Sequence, residues 1–109
     1  MISDIADLKT WAKAVCTGRL LNPETHRARL QTEPIEGLGF LEYGEGIATG
    51  GKFCGHPGAI AGFSTEMWYL PEEDATLVVN VNRLDDSGDP AQALLGDIIE
   101  ILFPKYVPL

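Results

Sequence analysis

Basic residues are scarce in this 109-residue sequence: eight Lys and Arg stand against sixteen Asp and Glu, for a net charge of -8. Nucleic-acid binding is driven by clustered Lys and Arg that displace counterions from phosphates, so that class of partner is excluded. Long apolar runs are also missing. None approaches the ~20 residues needed to span a bilayer, and no basic segment followed by an apolar one marks an export signal within the chain. The expectation is a chain with no membrane partner. Cysteine is limited to Cys16 and Cys54, outside any Cys-x-x-Cys spacing. They read as structural thiols rather than as a disulfide framework. Histidine is limited to His26 and His56, with no His-x-x-x-His spacing, and the acidic run Asp85 to Asp89 resembles a cation loop only by charge. No metal site is expected. The run Gly44 to Gly50 is one residue too long for a dinucleotide fingerprint and leads into a turn, so no cofactor is implied either.

What is present is enough for one ordinary domain. Hydrophobic residues make up 45% of the chain, which at this length would bury roughly two thirds of its unfolded surface. Ser3 can cap a helix with Ile5, Leu8, Ala12 and Val15 on one face and Trp11 alongside, stopped by Gly18. Asn22-Pro23 opens a second helix running to about Gln31. Beyond the Pro34 linker the period changes to that of strands. One bent strand is expected over Leu38 to Ala48, a turn at Thr49 to Lys52, and a strand from Phe53 interrupted at Gly58 and Gly62 that resumes over Phe63 to Leu70. Thr76 to Asn82 is apolar on both faces and reads as a central, covered strand. Asp89-Pro90 begins a last helix with Ala93, Leu94, Ile98, Ile99, Leu102 and Phe103 as its apolar face. Two helices, an antiparallel sheet of three or four strands, and a closing helix make an α+β fold. The organisation predicted is residues 1–36 as helices and linker, and 37–109 as sheet and closing helix.

Nine of the 12 glycines fall between Gly37 and Gly62, and the stretch Phe53 to Ser64 sets a single histidine among them. Alternation in an extended strand puts His56 and Gly58 on one face, with Pro57 and Ala59 on the other. A bare glycine beside a projecting imidazole makes a slot with one polar wall. Pro57 fits an edge strand, because a central one would need its missing N–H. On such an edge the Ala59 N–H is an open donor, able to hold a peptide-like ligand or a developing oxyanion.

Other constellations are weaker. Cys54 with His56 could form a thiolate pair, but simple alternation already places them side by side. Gly37-Leu38-Gly39-Phe40 spells the carboxylate-binding loop of a PDZ domain, yet two helices precede it and too few strands follow.

The ordered set Gly55-His56-Pro57-Gly58-Ala59, Ala61-Gly62-Phe63-Ser64, Tyr69-Leu70-Pro71 and Leu77-Val78-Val79-Asn80-Val81-Asn82-Arg83 resembles the C-terminal part of the penicillin-recognising serine hydrolases. That family holds D-alanyl-D-alanine carboxypeptidases, class C β-lactamases and related esterases. The resemblance implies a partial β-lactamase/transpeptidase-like fold, with residues 1–36 as the end of the helical domain. It carries His56 to the basic position of the family's third motif, Gly58 to its small residue and the Ala59 N–H to one oxyanion donor. Pro57 and Ile60 become substrate-facing positions, and Pro57 replaces a hydroxyl that would help hold a substrate carboxylate. The family's Ser-x-x-Lys and Tyr-x-Asn are not in these residues: Ser3, Ser64 and Ser87 are followed three later by Ala6, Met67 and Pro90, and no tyrosine is followed two later by asparagine.

The resulting expectation is a C-terminal fragment of an acyl-transferring hydrolase of peptide, amide or ester, inactive alone. The alternative is a non-catalytic peptide- or carboxylate-binding or self-associating module. An open strand edge predicts pairing with a second copy or with a missing N-terminal half. Localisation is open, since the resembled family is usually periplasmic or secreted.

Overall fold

The computed structural model describes residues 1–108. Its elements are α1 (Ile5–Thr17), α2 (Pro23–Arg29), β1 (Glu33–Pro34), β2 (Leu41–Tyr43), β3 (Ala48–Gly50), β4 (Phe53–Ile60), β5 (Phe63–Leu70), β6 (Ala75–Val81) and α3 (Pro90–Leu102). The α+β expectation holds, but the sheet has six strands rather than three or four. They pair antiparallel in chain order, β1 to β6. The first of them, Glu33–Pro34, lies ahead of position 37.

Two corrections to the strands share a cause in the glycines. The single strand expected over Leu38 to Ala48 is two, β2 and β3, because Gly46 takes a left-handed φ of 69° and folds the chain back between them. The interruption expected at Gly58 is absent. β4 runs through it, and the break comes at Ala61-Gly62, a two-residue loop in which Gly62 has φ 84°. That positive φ suits the third residue of a type II turn, which glycine adopts without strain.

The third correction concerns β6. It pairs only with β5 and is therefore a sheet edge, not a central strand. Its apolar residues on both faces have a different reason: α1 packs over one face of the sheet and α3 over the other. Ala12, Val15 and Cys16 of α1 join Ile47, Cys54, Met67 and Tyr69 in one core. Ala91, Leu95 and Ile99 of α3 join Ala48, Phe53, Trp68, Leu70 and Val79 in the second. The alternation of β5, with Met67 and Tyr69 one way and Trp68 and Leu70 the other, divides the two cores.

The helix ends follow capping chemistry. Asp4, not Ser3, caps α1, because Asp7 three residues on completes a reciprocal box: Asp7 N donates to Asp4 at 2.9 Å and Asp4 N to Asp7 at 3.2 Å. Gly18, at φ 71°, ends it. Asn22 accepts from Thr25 N at 2.8 Å and Asp89 from Ala91 N at 3.0 Å, each followed by proline in the first turn. α2 ends at Arg29, short of Gln31. The buried stripe of α3 is Ala91, Leu95 and Ile99. Of the expected face Ile99 is buried and Ile98 and Phe103 pack against the core, while Ala91 and Leu95 were not foreseen. Leu94 and Leu102 are exposed, because the helix lies on the sheet along its 91–95–99 line.

The two cysteines are not free thiols: Cys16 and Cys54 form a disulfide, with Cα atoms 5.9 Å apart. Both face the same core, so the packing of α1 across β4 brings them together. A separation of 38 residues hid the pairing in the sequence.

Candidate functional site

β4 changes character along its length. Phe53, Cys54 and Gly55 pair with Gly50, Thr49 and Ala48 of β3, and Cys54 and Gly55 pair on the other side with β5. From His56 to Ile60 only β5 remains, so this half is a sheet edge. At the start of the edge Gly55 is obligatory: a Cβ there would stand 1.9 Å from Met67 O and 2.8 Å from Trp68 Cα. The strands approach too closely for any side chain. At Gly58 the nearest atom to a virtual Cβ is Thr65 Cβ at 3.5 Å, so the fold itself has room for one.

The loop at Ala61-Gly62 fixes which N–H groups are open. In a two-residue hairpin the flanking pair, here Ile60 and Phe63, carries the ladder bonds. The N–H groups of Ile60, Gly58 and His56 then turn toward β5. Those at positions 59 and 57 turn outward, which leaves Ala59 a free donor and makes the missing N–H of Pro57 harmless.

A groove of about 340 Å³ runs between α1 and this edge, lined by Trp11, Arg29, His56, Pro57, Gly58 and Thr65 among others. Of the residues singled out in the sequence, His56, Pro57 and Gly58 come together in it. Ala59 and Ile60 lie farther along the strand, exposed, toward the hairpin tip. His56 is half-buried. Its Nδ1 contacts the Pro57 carbonyl, and its Nε2 lies 2.7 Å from the Tyr43 hydroxyl, with the rings edge to face at 5.4 Å. A carbonyl only accepts, so Nδ1 carries the proton. In the neutral ring Nε2 then accepts from Tyr43 O–H, and the imidazole is held at both ends.

Tyr43 and Arg29 were not found from the sequence. Tyr43 reaches His56 because β2, β3 and β4 align Tyr43 with Ala48 and Ala48 with Gly55, a register that depends on the fold at Gly46. Arg29 sits at the groove wall, its Nη2 donating to Gly46 O at 3.4 Å and its buried Nε without a partner. His26 is elsewhere: its ring lies where a side chain at Gly18 would stand. The disulfide leaves no thiolate to pair with His56. Gly37 to Phe40 is a turn between β1 and β2 and takes no part in the His56 groove. Among the described residues no cluster of three or more His, Cys, Asp or Glu could hold a metal, and no helix is long and apolar enough to cross a membrane. The acidic turn after β6 is closed by its own contacts, with Asp85 bonded to Arg83 Nε at 2.9 Å and to Ser87 N at 2.8 Å.

The architecture is that of an α+β unit matching part of a transpeptidase-like fold, with a histidine, a glycine and an open edge beside a groove. A solved structure, that of a D-stereospecific amidohydrolase from Streptomyces sp., is similar to it with a TM-score of 0.73 and 28% sequence identity. The match covers 93% of this chain and 30% of the amidohydrolase, so the chain spans under a third of that protein's length. No family model and no curated protein matches the sequence.

Proposed function

We propose that this chain is the C-terminal segment of a serine β-lactamase-like hydrolase that cleaves an amide, peptide or ester by acyl transfer. The observation that carries the reading is the likeness to the amidohydrolase over 93% of the chain at 28% identity. In that reaction a serine oxygen attacks the carbonyl, the amine or alcohol leaves with a proton, and water releases the acyl group. The roles assigned are His56 as the polar post of the cleft, Gly58 as clearance for the substrate backbone, and the Ala59 N–H as an oxyanion donor. Pro57 and Ile60 border the substrate. Pro57 lacks a hydroxyl, which favours an amide or ester over a substrate anchored there by a terminal carboxylate, and the neighbour's D-stereospecificity makes a D-configured amide the first substrate to try. The nucleophile and its lysine lie outside these 109 residues, so the chain alone is inactive. Its disulfide fits an oxidising compartment.

A fluorophosphonate probe for serine hydrolases tests this. The 109-residue chain should not label, whereas a product extended by in-frame upstream sequence should label at a Ser-x-x-Lys serine. Labelling of the short chain, or an upstream frame without that motif, would sink the proposal.

A second reading, a non-catalytic carboxylate- or peptide-binding module, is favoured by Arg29, whose unpartnered Nε lies in the groove wall. Binding of an N-acetyl dipeptide to this chain alone, lost in Arg29→Gln, would distinguish it.

A further inference from the structure

On the face of the sheet opposite the groove, β3, β4, β5, α3 and the segment after α3 line a half-open cavity of about 230 Å³. Phe40, Phe53, Trp68, Leu95, Ile99 and Val107 make its walls apolar. Two buried polar side chains belong to β5 here, Ser64 and Glu66, and they are used differently. Ser64 is consumed by the fold: its hydroxyl donates to Arg83 O at 3.1 Å and accepts from Ala91 N at 3.3 Å. Glu66, only 3% exposed, lines the cavity. One carboxyl oxygen accepts from Trp68 Nε1, and among the described residues Glu66 forms no ion pair.

A carboxyl buried at an apolar wall is costly unless something pairs with it. No Lys, Arg or His lines this cavity; its remaining ionisable residue is Glu100, also acidic. The polarity therefore asks for a cation, and the walls ask for an apolar body. We propose that this cavity binds a small primary amine bearing an apolar ring, its ammonium against Glu66 and its ring against Phe53, Trp68 and Leu95. Trp68 serves twice, orienting the carboxyl through its N–H and offering an aromatic face to a cation. The site is separate from the His56 groove, with Pro57 in the wall of both.

The charges around Glu66 set how binding depends on pH. Burial chiefly pushes its pKa up, the Trp68 bond pulls it down, Asp89 at the head of α3 raises it and His56 on β4 lowers it. A proton on Glu66 competes with the ammonium, so affinity falls as pH drops through the raised value.

The test is an NMR titration of the whole chain with phenethylamine and with the isosteric 2-phenylethanol, read at the indole N–H of Trp68. The chain has two tryptophans, and Trp11→Phe assigns the signals. Phenethylamine should saturate the Trp68 shift at least tenfold more tightly than the alcohol at pH 7, and Glu66→Gln should erase the preference. Equal affinity of amine and alcohol for the unmodified chain, no saturable shift, or a shift confined to Trp11 would overturn the site. The comparison of the two probes stands even if the Gln variant fails to fold.

Discussion

The Tyr43 hydroxyl and His56 Nε2 are 2.7 Å apart, so a residue of β2 governs the side chain that stands on the free edge of β4. With Nδ1 turned to the Pro57 carbonyl, the neutral ring should be the Nδ1–H tautomer. Long-range proton–nitrogen NMR at alkaline pH should report protonated Nδ1 and unprotonated Nε2. Tyr43→Phe should free Nε2 and admit the other tautomer, with a stability change within about 0.5 kcal/mol for a residue this exposed. A native ring already protonated at Nε2 would refute the arrangement.

The two glycines of the cleft strand should respond oppositely to alanine. Gly55→Ala forces a Cβ into Met67 O and should cost roughly 3 kcal/mol or more, or prevent folding. Gly58→Ala meets only ordinary contact and should change stability by about 1 kcal/mol or less, while narrowing the groove. Urea denaturation measures both; equal costs would show that the edge half of β4 is as crowded as the paired half.

Reducing the Cys16–Cys54 bridge releases a loop of 38 residues. In the chain-entropy picture a closure of that length is worth about 4 kcal/mol. The urea midpoint should drop accordingly in the presence of reductant, and Cys16→Ser with Cys54→Ser should reproduce it. An unchanged midpoint would mean that the bridge does not form.

Acid and alkali should act on different carboxyls. Asp74 accepts from Lys13 Nζ at 2.6 Å and from Tyr69 at 2.9 Å, and the Lys13 bond chiefly holds its pKa below the ordinary 3.8. Its stabilisation is present above pH 3.8 and is lost as pH falls through the lower folded value. Glu66 has the reverse sign. Its folded pKa is raised above 4.5 by burial, so stability is fullest below 4.5 and declines as pH rises through the raised value. Glu66→Gln should therefore be relatively more stable at pH 7 than at pH 4, as read by thermal melts. No trend would place the carboxyl in contact with water, and the opposite trend would mean that the fold stabilises its ionised form.

The free edge of β6 and the exposed Leu94, Ile101 and Leu102 of α3 leave apolar surface for another chain. Sedimentation at micromolar concentration should give a dimer or larger species, and Ile101→Glu with Leu102→Glu should shift it toward monomer. A clean monomer for the native chain would count against self-association.

The helix ends at Gly18, Asn22-Pro23 and Asp89-Pro90 and the α+β order were legible in the sequence because they carry local capping chemistry, whereas the α1 cap fell one residue off at Asp4 and α2 ended short of Gln31. The edge at His56 was legible too, through Pro57. What depended on register was not. Tyr43 finds His56 only after Gly46 reverses the chain, and Cys16 meets Cys54 only after α1 crosses β4. β6 misled for a related reason, since a strand covered by helices on both faces has the same apolar pattern whether or not strands flank it.

The chain-order sheet has a kinetic consequence. With every strand hydrogen-bonded to its sequence neighbours, each pairing closes a short loop, and low loop-closure entropy favours rapid zipping. The β4–β5 hairpin, joined by two residues, is placed to form early. The edge carrying His56 and Gly58 would then exist before either helix docks, as a surface the rest of the molecule assembles around.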